Sequence, residues 1–119
     1  DAISAQSASR TSEGGASIAA HVDHLRYGLS LLNDWSGGAN PWDTADFTMS
    51  WRIGPVTEPE WLELRSRLRS ESHKWLEAVR AARELTDEEA NVVLGSIAHL
   101  AYHLGAIRQI EKATRGPKA

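Results

Sequence analysis

Two histidines near the end of the chain, His99 and His103, stand four residues apart in the run AHLAYHLGAIRQI. If that run is helical, both imidazoles leave the same face with Cβ atoms about 5–6 Å apart, close enough to reach one ion. The pair suits a divalent metal but is not specific for one. Leu100 stands where a zinc peptidase of the HExxH kind carries its glutamate, so that reaction class loses support. A metal needs at least one further protein ligand, and the other candidates are His21 and His24. The pattern of residues does not decide between those two, and His21 lies nearer the centre of its apolar arc. An inward histidine from one helix meeting an i, i+4 pair from another is a way in which helical bundles build metal sites. Three neutral imidazoles with an open position would suit zinc, nickel or ferrous iron. The alternative is a set of buried, hydrogen-bonded histidines that hold no metal. His73 falls off the apolar face of its segment and receives no role.

The elements that must position these side chains read as helices. Ser17 is a plausible N-cap, followed by Ile18, Val22, Leu25, Leu29 and Leu32 at spacings alternating between four and three, the mark of an amphipathic helix. It should end near Gly37 and Gly38, with Asp23, Arg26, Ser30, Asn33 and Asp34 on its polar arc and both His21 and His24 on its apolar one. A second helix is announced by Thr57 and Glu60 in a capping box, with Pro59 in the first turn and Trp61, Leu64, Leu68, Trp75 and Val79 as its buried face. A third opens on the capping box of Thr86 and Glu89 and should run to about Ala113, with Gly116 and Pro117 as stop signals. In it, Val92, Ser96, His99, His103, Ala106 and Ile110 form one seam, and Val93, Ile97, Leu100, Leu104 and Ile107 a second apolar row beside it. The three helices are expected to pack roughly antiparallel.

Two stretches are less regular. Residues 1–15 are rich in Ser, Ala and Gly, with helix expected only within residues 1–8. Residues 35–56 form a long connection of the kind that carries function or irregular packing. There Phe47, Met49, Trp51 and Ile53 alternate with Thr48, Ser50 and Arg52, which suggests an extended lid with its large side chains inward.

Bulk properties fit this picture. The 119 residues are one domain's worth, 41% hydrophobic and 24% charged, ordinary values for a globular chain. A formal charge of -3 gives no basic footprint for nucleic acid. With no cysteine, disulfides, thiolate nucleophiles and Cys-ligated zinc are all excluded, and His and carboxylates remain as ligands. No stretch reads as the roughly 20 apolar residues of a membrane span, nor as a signal peptide. A cytoplasmic protein with no membrane partner is expected.

The residues also resemble a family. Ser17 and Ile18, then His24 followed by Leu25, and far downstream His99 and His103, look like the DinB/YfiT-like superfamily of metal-dependent proteins. The resemblance covers residues 16–113 and includes the Trp-rich middle, DFTMSWRIGPVTEPEW. In that family the ligand histidine follows the opening Ser or Thr by seven positions, which implies His24, His99 and His103 as the metal ligands. The last-helix signature usually continues Gly-Gln-Ile, and here reads Gly105, Ala106, Ile107, so one neighbouring contact is altered. His21 stands where the family usually has an aliphatic residue, which implies a packing role ahead of the other possibility, a polar neighbour of the metal. The implied fold is an all-α, up-down four-helix bundle whose first helix is largely absent from this chain. The missing face would then be covered by upstream residues or by a partner chain, and a homodimer is expected. Relatives include thiol-dependent S-transferases and a mycothiol-dependent maleylpyruvate isomerase. The activity implied is a metal-dependent enzyme acting on a small substrate, activating a low-molecular-weight thiol or water for transfer or hydrolysis. A metal-binding or stress-response protein without turnover is the alternative.

Overall fold

The computed structural model describes residues 3–11 and 14–111. They form four α-helices and two 3-10 turns in the order α1 (Ala5–Ser9), α2 (Ile18–Ser36), the turns Trp42–Thr44 and Met49–Arg52, α3 (Glu58–Ala81) and α4 (Asp87–Ile110), with no strand among the described residues. The starts are set by their caps. Ser17 Oγ accepts from the Ala20 amide at 3.2 Å, and both Thr57 with Glu60 and Thr86 with Glu89 close reciprocal capping boxes. Each satisfies amides that have no partner inside the helix. At the end of α2, Gly38 takes φ +95°, a left-handed conformation that glycine adopts without steric penalty. Helix α4 stops at Ile110, with Glu111 extended. The part of its expected course beyond Glu111, and the stop signals Gly116 and Pro117, lie outside the described residues. Of the N-terminal expectation, Asp1 and Ala2 lie outside them too, and the helix begins at Ala5 on a Ser4 cap.

Helix α2 is the central element, and α1, α3, α4 and the second 3-10 turn all pack against it. Ile18, Ala19 and Val22 join Ala5, Ala8 and Trp61 in the core, flanked by Leu64, Leu68, Ile107 and Ile110. Short α1 is tied to the start of α3: the Ala5 amide donates to Glu58 Oε1 at 2.8 Å and the Trp61 indole donates to the Ile3 carbonyl at 2.9 Å.

The helix directions correct the antiparallel expectation. The beginning of α2 meets the beginning of α3 at Trp61, and Asn33 near its end donates to the carbonyl and carboxylate of Glu71, at 3.0 and 2.7 Å. So α2 and α3 run the same way, and α4 runs opposite to both, with His24 beside His99 and Trp75 donating to Ser96. Helices joined by short loops are antiparallel neighbours. The connection at residues 37–57 is long enough to travel back along α2, about 28 Å for its 19 residues.

That connection is not the extended strip that the alternation of Phe47, Met49, Trp51 and Ile53 suggested. It coils into 3-10 turns, in which an every-second-residue rule loses meaning, and Phe47, Met49 and Trp51 all keep considerable exposure. Two side-chain hydrogen bonds fasten its middle to α2. The Asp46 amide donates to the Tyr27 hydroxyl at 3.0 Å, and buried Ser50 donates to Asp23 Oδ2 at 2.6 Å.

Helix α4 buries one seam only. Ser96 and His103 are enclosed, whereas Ile97 and Leu104 of the second apolar row are 59% and 47% exposed, and Leu94 and Tyr102 are open as well. By length and composition α4 could cross a membrane, with a mean hydropathy of 1.3 over its most apolar window, contrary to the absence of such a stretch in the sequence reading. The same helix carries Asp87, Glu88 and Glu89 in its first turn and turns His103 into the protein.

Candidate metal centre

Helices α2 and α4 bring the histidines of the sequence reading together. His24 Nε2 lies 3.1 Å from His99 Nε2, and His103 Nε2 lies 3.0 Å from the same atom. The ligand nitrogens of His24, His99 and His103 all fall within 4.8 Å of one another, an arrangement that could hold a metal ion. Nitrogens bound at about 2.0–2.1 Å to a tetrahedral zinc are separated by about 3.4 Å, so the spacing around His99 is close to what such an ion asks for. Hydrogen bonding alone serves this cluster poorly. A neutral imidazole carries one N–H, so His99 Nε2 can donate well to one of its neighbours and leaves the other lone pair facing a third. A cation accepts all of them.

The register explains the meeting. His99 and His103 project from one face of α4, four residues apart, and His24 comes from the apposed face of α2. One turn on from His24 is Gly28, where a Cβ would stand 3.5 Å from His99 Cε1. That is ordinary van der Waals contact, and it shows how closely the His99 ring lies against α2 at this turn.

His21, for which packing or a place beside the metal was expected, lies next to the cluster. Its Nδ1 sits 2.8 Å from His103 Nδ1. With the His103 proton on Nδ1 and donated to His21, the lone pair of His103 is fixed on Nε2, facing His99. A partner on the far nitrogen is how metal-binding imidazoles are held in one tautomer and one orientation. His73 is exposed on α3 and takes no part, as expected.

An aromatic cover closes the cluster. Trp51 stacks on His24 with centroids 4.5 Å apart and planes inclined by 26°, and meets His21 edge-on at 5.4 Å. Phe47 stands 6.1 Å from His24. Periodicity did not assign these contacts. They depend on the turns of the connection and on Ser50 anchoring it. The Asp23 carboxylate that accepts the Ser50 hydrogen bond also pairs with Arg26 at 2.9 Å, so this acid of α2 is already engaged. His24 Nδ1 is buried with no hydrogen-bond partner.

Burial governs the electrostatics. It holds all four imidazoles below the ordinary value of 6.5, His103 furthest, at about 4. Charge on His99 adds to the effect at both His24 and His103, and Asp23 partly opposes it at His24. At neutral pH the rings are uncharged, the state in which imidazole is a ligand. The group His24, His99 and His103 thus has the donor atoms, the spacing and the protonation state that a divalent metal requires. Compared with known proteins, the chain matches no family model, no curated protein and no solved structure.

Proposed function

We propose that this chain is a divalent-metal-binding helical-bundle protein whose ion, zinc, nickel or iron, rests on His24, His99 and His103. The observation that carries this reading is the convergence of the His103 and His24 Nε2 atoms on His99 Nε2, at 3.0 and 3.1 Å. Three protein nitrogens leave one position of a tetrahedral site open, the pattern of catalytic rather than closed structural sites. Asp23 is occupied by Arg26 and Ser50, which leaves it unsuited to fill that position. When bound, such an ion lowers the pKa of a small thiol or water enough to make a nucleophile near neutral pH. With no cysteine in the chain, a reacting thiol comes from a cosubstrate. The chain's own part is to orient the rings, through His21, and to exclude bulk water, through Trp51.

The sequence resemblance to the DinB/YfiT-like superfamily supports the same reading, and the all-helical architecture is compatible with it. On this view the protein is a metal-dependent transferase or hydrolase for a small substrate. The exposed row of Leu94, Ile97 and Leu104 supports association into a homodimer, since contiguous apolar surface commonly marks a partner. The test is elemental analysis of the purified protein together with calorimetric titration of zinc and nickel. One equivalent is expected for the unaltered protein, and loss of stoichiometric binding in His24→Ala, His99→Ala and His103→Ala alike. Retention of the ion by His24→Ala would remove the proposed ligand set.

A further inference from the structure

Beside the histidine cluster lies a cavity of about 280 Å³ between α2 and α4, under the first part of the connection. Its walls include Leu29, Leu32, Trp42, Phe47 and Leu100, and among the described residues His99 is the one ionisable side chain on them. Ser96 also lines it, but that hydroxyl is spent, donating to the Val93 carbonyl at 2.7 Å and accepting from the Trp75 indole at 3.1 Å. Phe47 is shared between the two places, lining the cavity and facing the His24 ring. An apolar cavity of about 150 Å³ is large enough for benzene. This one therefore has room for a short alkyl chain or a bicyclic ring. The cavity is half-open, with Trp42 and Phe47 both partly exposed at its wall, and a carboxylate, phosphate or ammonium seated on these walls would lose part of its water with no opposite charge to replace it, which is unfavourable.

We propose that this cavity seats the uncharged, apolar body of a small molecule whose polar head reaches the histidine centre past His99. The cavity stands on its own walls, and the placement of the head rests on the metal reading above. The substrate class is then a neutral molecule bearing an aliphatic or aromatic group of up to about two rings, not an anionic metabolite. Gly95 stands at the outer side: a Cβ there would meet nothing within 4 Å, so a side chain can be introduced at the mouth of the cavity with no clash at its first atom.

The experiment has two arms. In the first, the metal-free protein is titrated with 1-butanol, 1-pentanol and 1-hexanol, then with hexanoate and hexylammonium, following the amides of Gly28 and Gly95 and the Trp42 indole by NMR. Affinity is expected to rise about fourfold per methylene, the factor for burying each such group, with both ions at least about tenfold weaker than hexanol. Gly95→Leu should abolish the chain-length dependence while leaving the circular dichroism unchanged. Equal binding of hexanoate and hexanol, or shifts confined to residues outside this cavity, overturns the assignment. In the second arm, cobalt(II)-loaded protein is titrated with the matching alkanethiols, which bind as thiolates after releasing a proton to solvent, and the sulfur-to-cobalt absorption is read. The same fourfold increment places head and body in one site. A flat thiol series beside a graded alcohol series refutes the link between them. If cobalt is not taken up, the metal reading and the placement of the head fall together, and the alcohol series still decides the cavity.

Discussion

Replacing His21 separates a positioning role from simple packing. The His21–His103 bond of 2.8 Å joins two largely uncharged rings, and such a bond contributes about 1 kcal/mol net. Without it, the His103 ring can flip between two orientations, only one of which aims Nε2 at His99. That adds about 0.4 kcal/mol, RT ln 2 at room temperature. The sum, about 1.4 kcal/mol, is a tenfold loss of metal affinity. Because the freed His103 Nδ1–H remains in a buried residue, 3% exposed, the unmet donor can carry the loss toward a hundredfold. His21→Leu conserves much of the volume and removes the acceptor, and His21→Asn restores a short acceptor. Competition against a chromophoric chelator at pH 7.5 gives the zinc affinities, and melting of the metal-free proteins gives packing stability. The expected pattern is a melting temperature for His21→Leu close to that of the unaltered protein, affinity weakened at least about tenfold, and partial recovery in His21→Asn. An unchanged zinc affinity in His21→Leu would falsify the positioning argument and return His21 to a packing residue.

The four lowered imidazoles make the metal-free fold acid-sensitive. Between about 6.5, where free imidazole titrates, and the value of about 4 to which His103 is held, the unfolded chain takes up protons that the folded chain refuses. Stability should therefore be full above pH 6.5 and decline on acidification through that window, by roughly 1–2 kcal/mol after screening by solvent at the ring edges. Urea midpoints that stay flat from pH 7 to pH 4.5 would contradict it. Ser50→Ala removes the buried hydroxyl bonded to Asp23, and should destabilise by about 1–3 kcal/mol and shift tryptophan emission to the red as Trp51 lifts from His24. An unchanged spectrum would mean that the anchor lies elsewhere. Sedimentation at micromolar concentration should give a dimer, and Leu94→Lys with Ile97→Lys a monomer. A compact monomer of the unaltered chain at every concentration would remove the association.

The local rules written in the chain were sufficient for the helices. Ser17, Thr57 with Glu60, and Thr86 with Glu89 cap where their side-chain chemistry requires, because capping involves residues three apart and needs no tertiary partner. The spacing of His99 and His103 was likewise local, fixed by 3.6 residues per turn. Periodicity left His21 and His24 unresolved, because both lie on the same apolar arc of α2. Only the register of α2 against α4 divides them, setting His24 Nε2 at His99 and His21 Nδ1 at the back of His103. The running direction of α3 was equally out of reach, since a connection as long as residues 37–57 permits either sense. The cover over the cluster depended on it as well. Trp51 reaches His24 because 3-10 turns replace a strand and because Ser50, far from Asp23 in sequence, bonds to it in space. Contacts made within a turn of helix are encoded by spacing, whereas contacts between elements depend on how the chain returns, and that is decided only when the core closes.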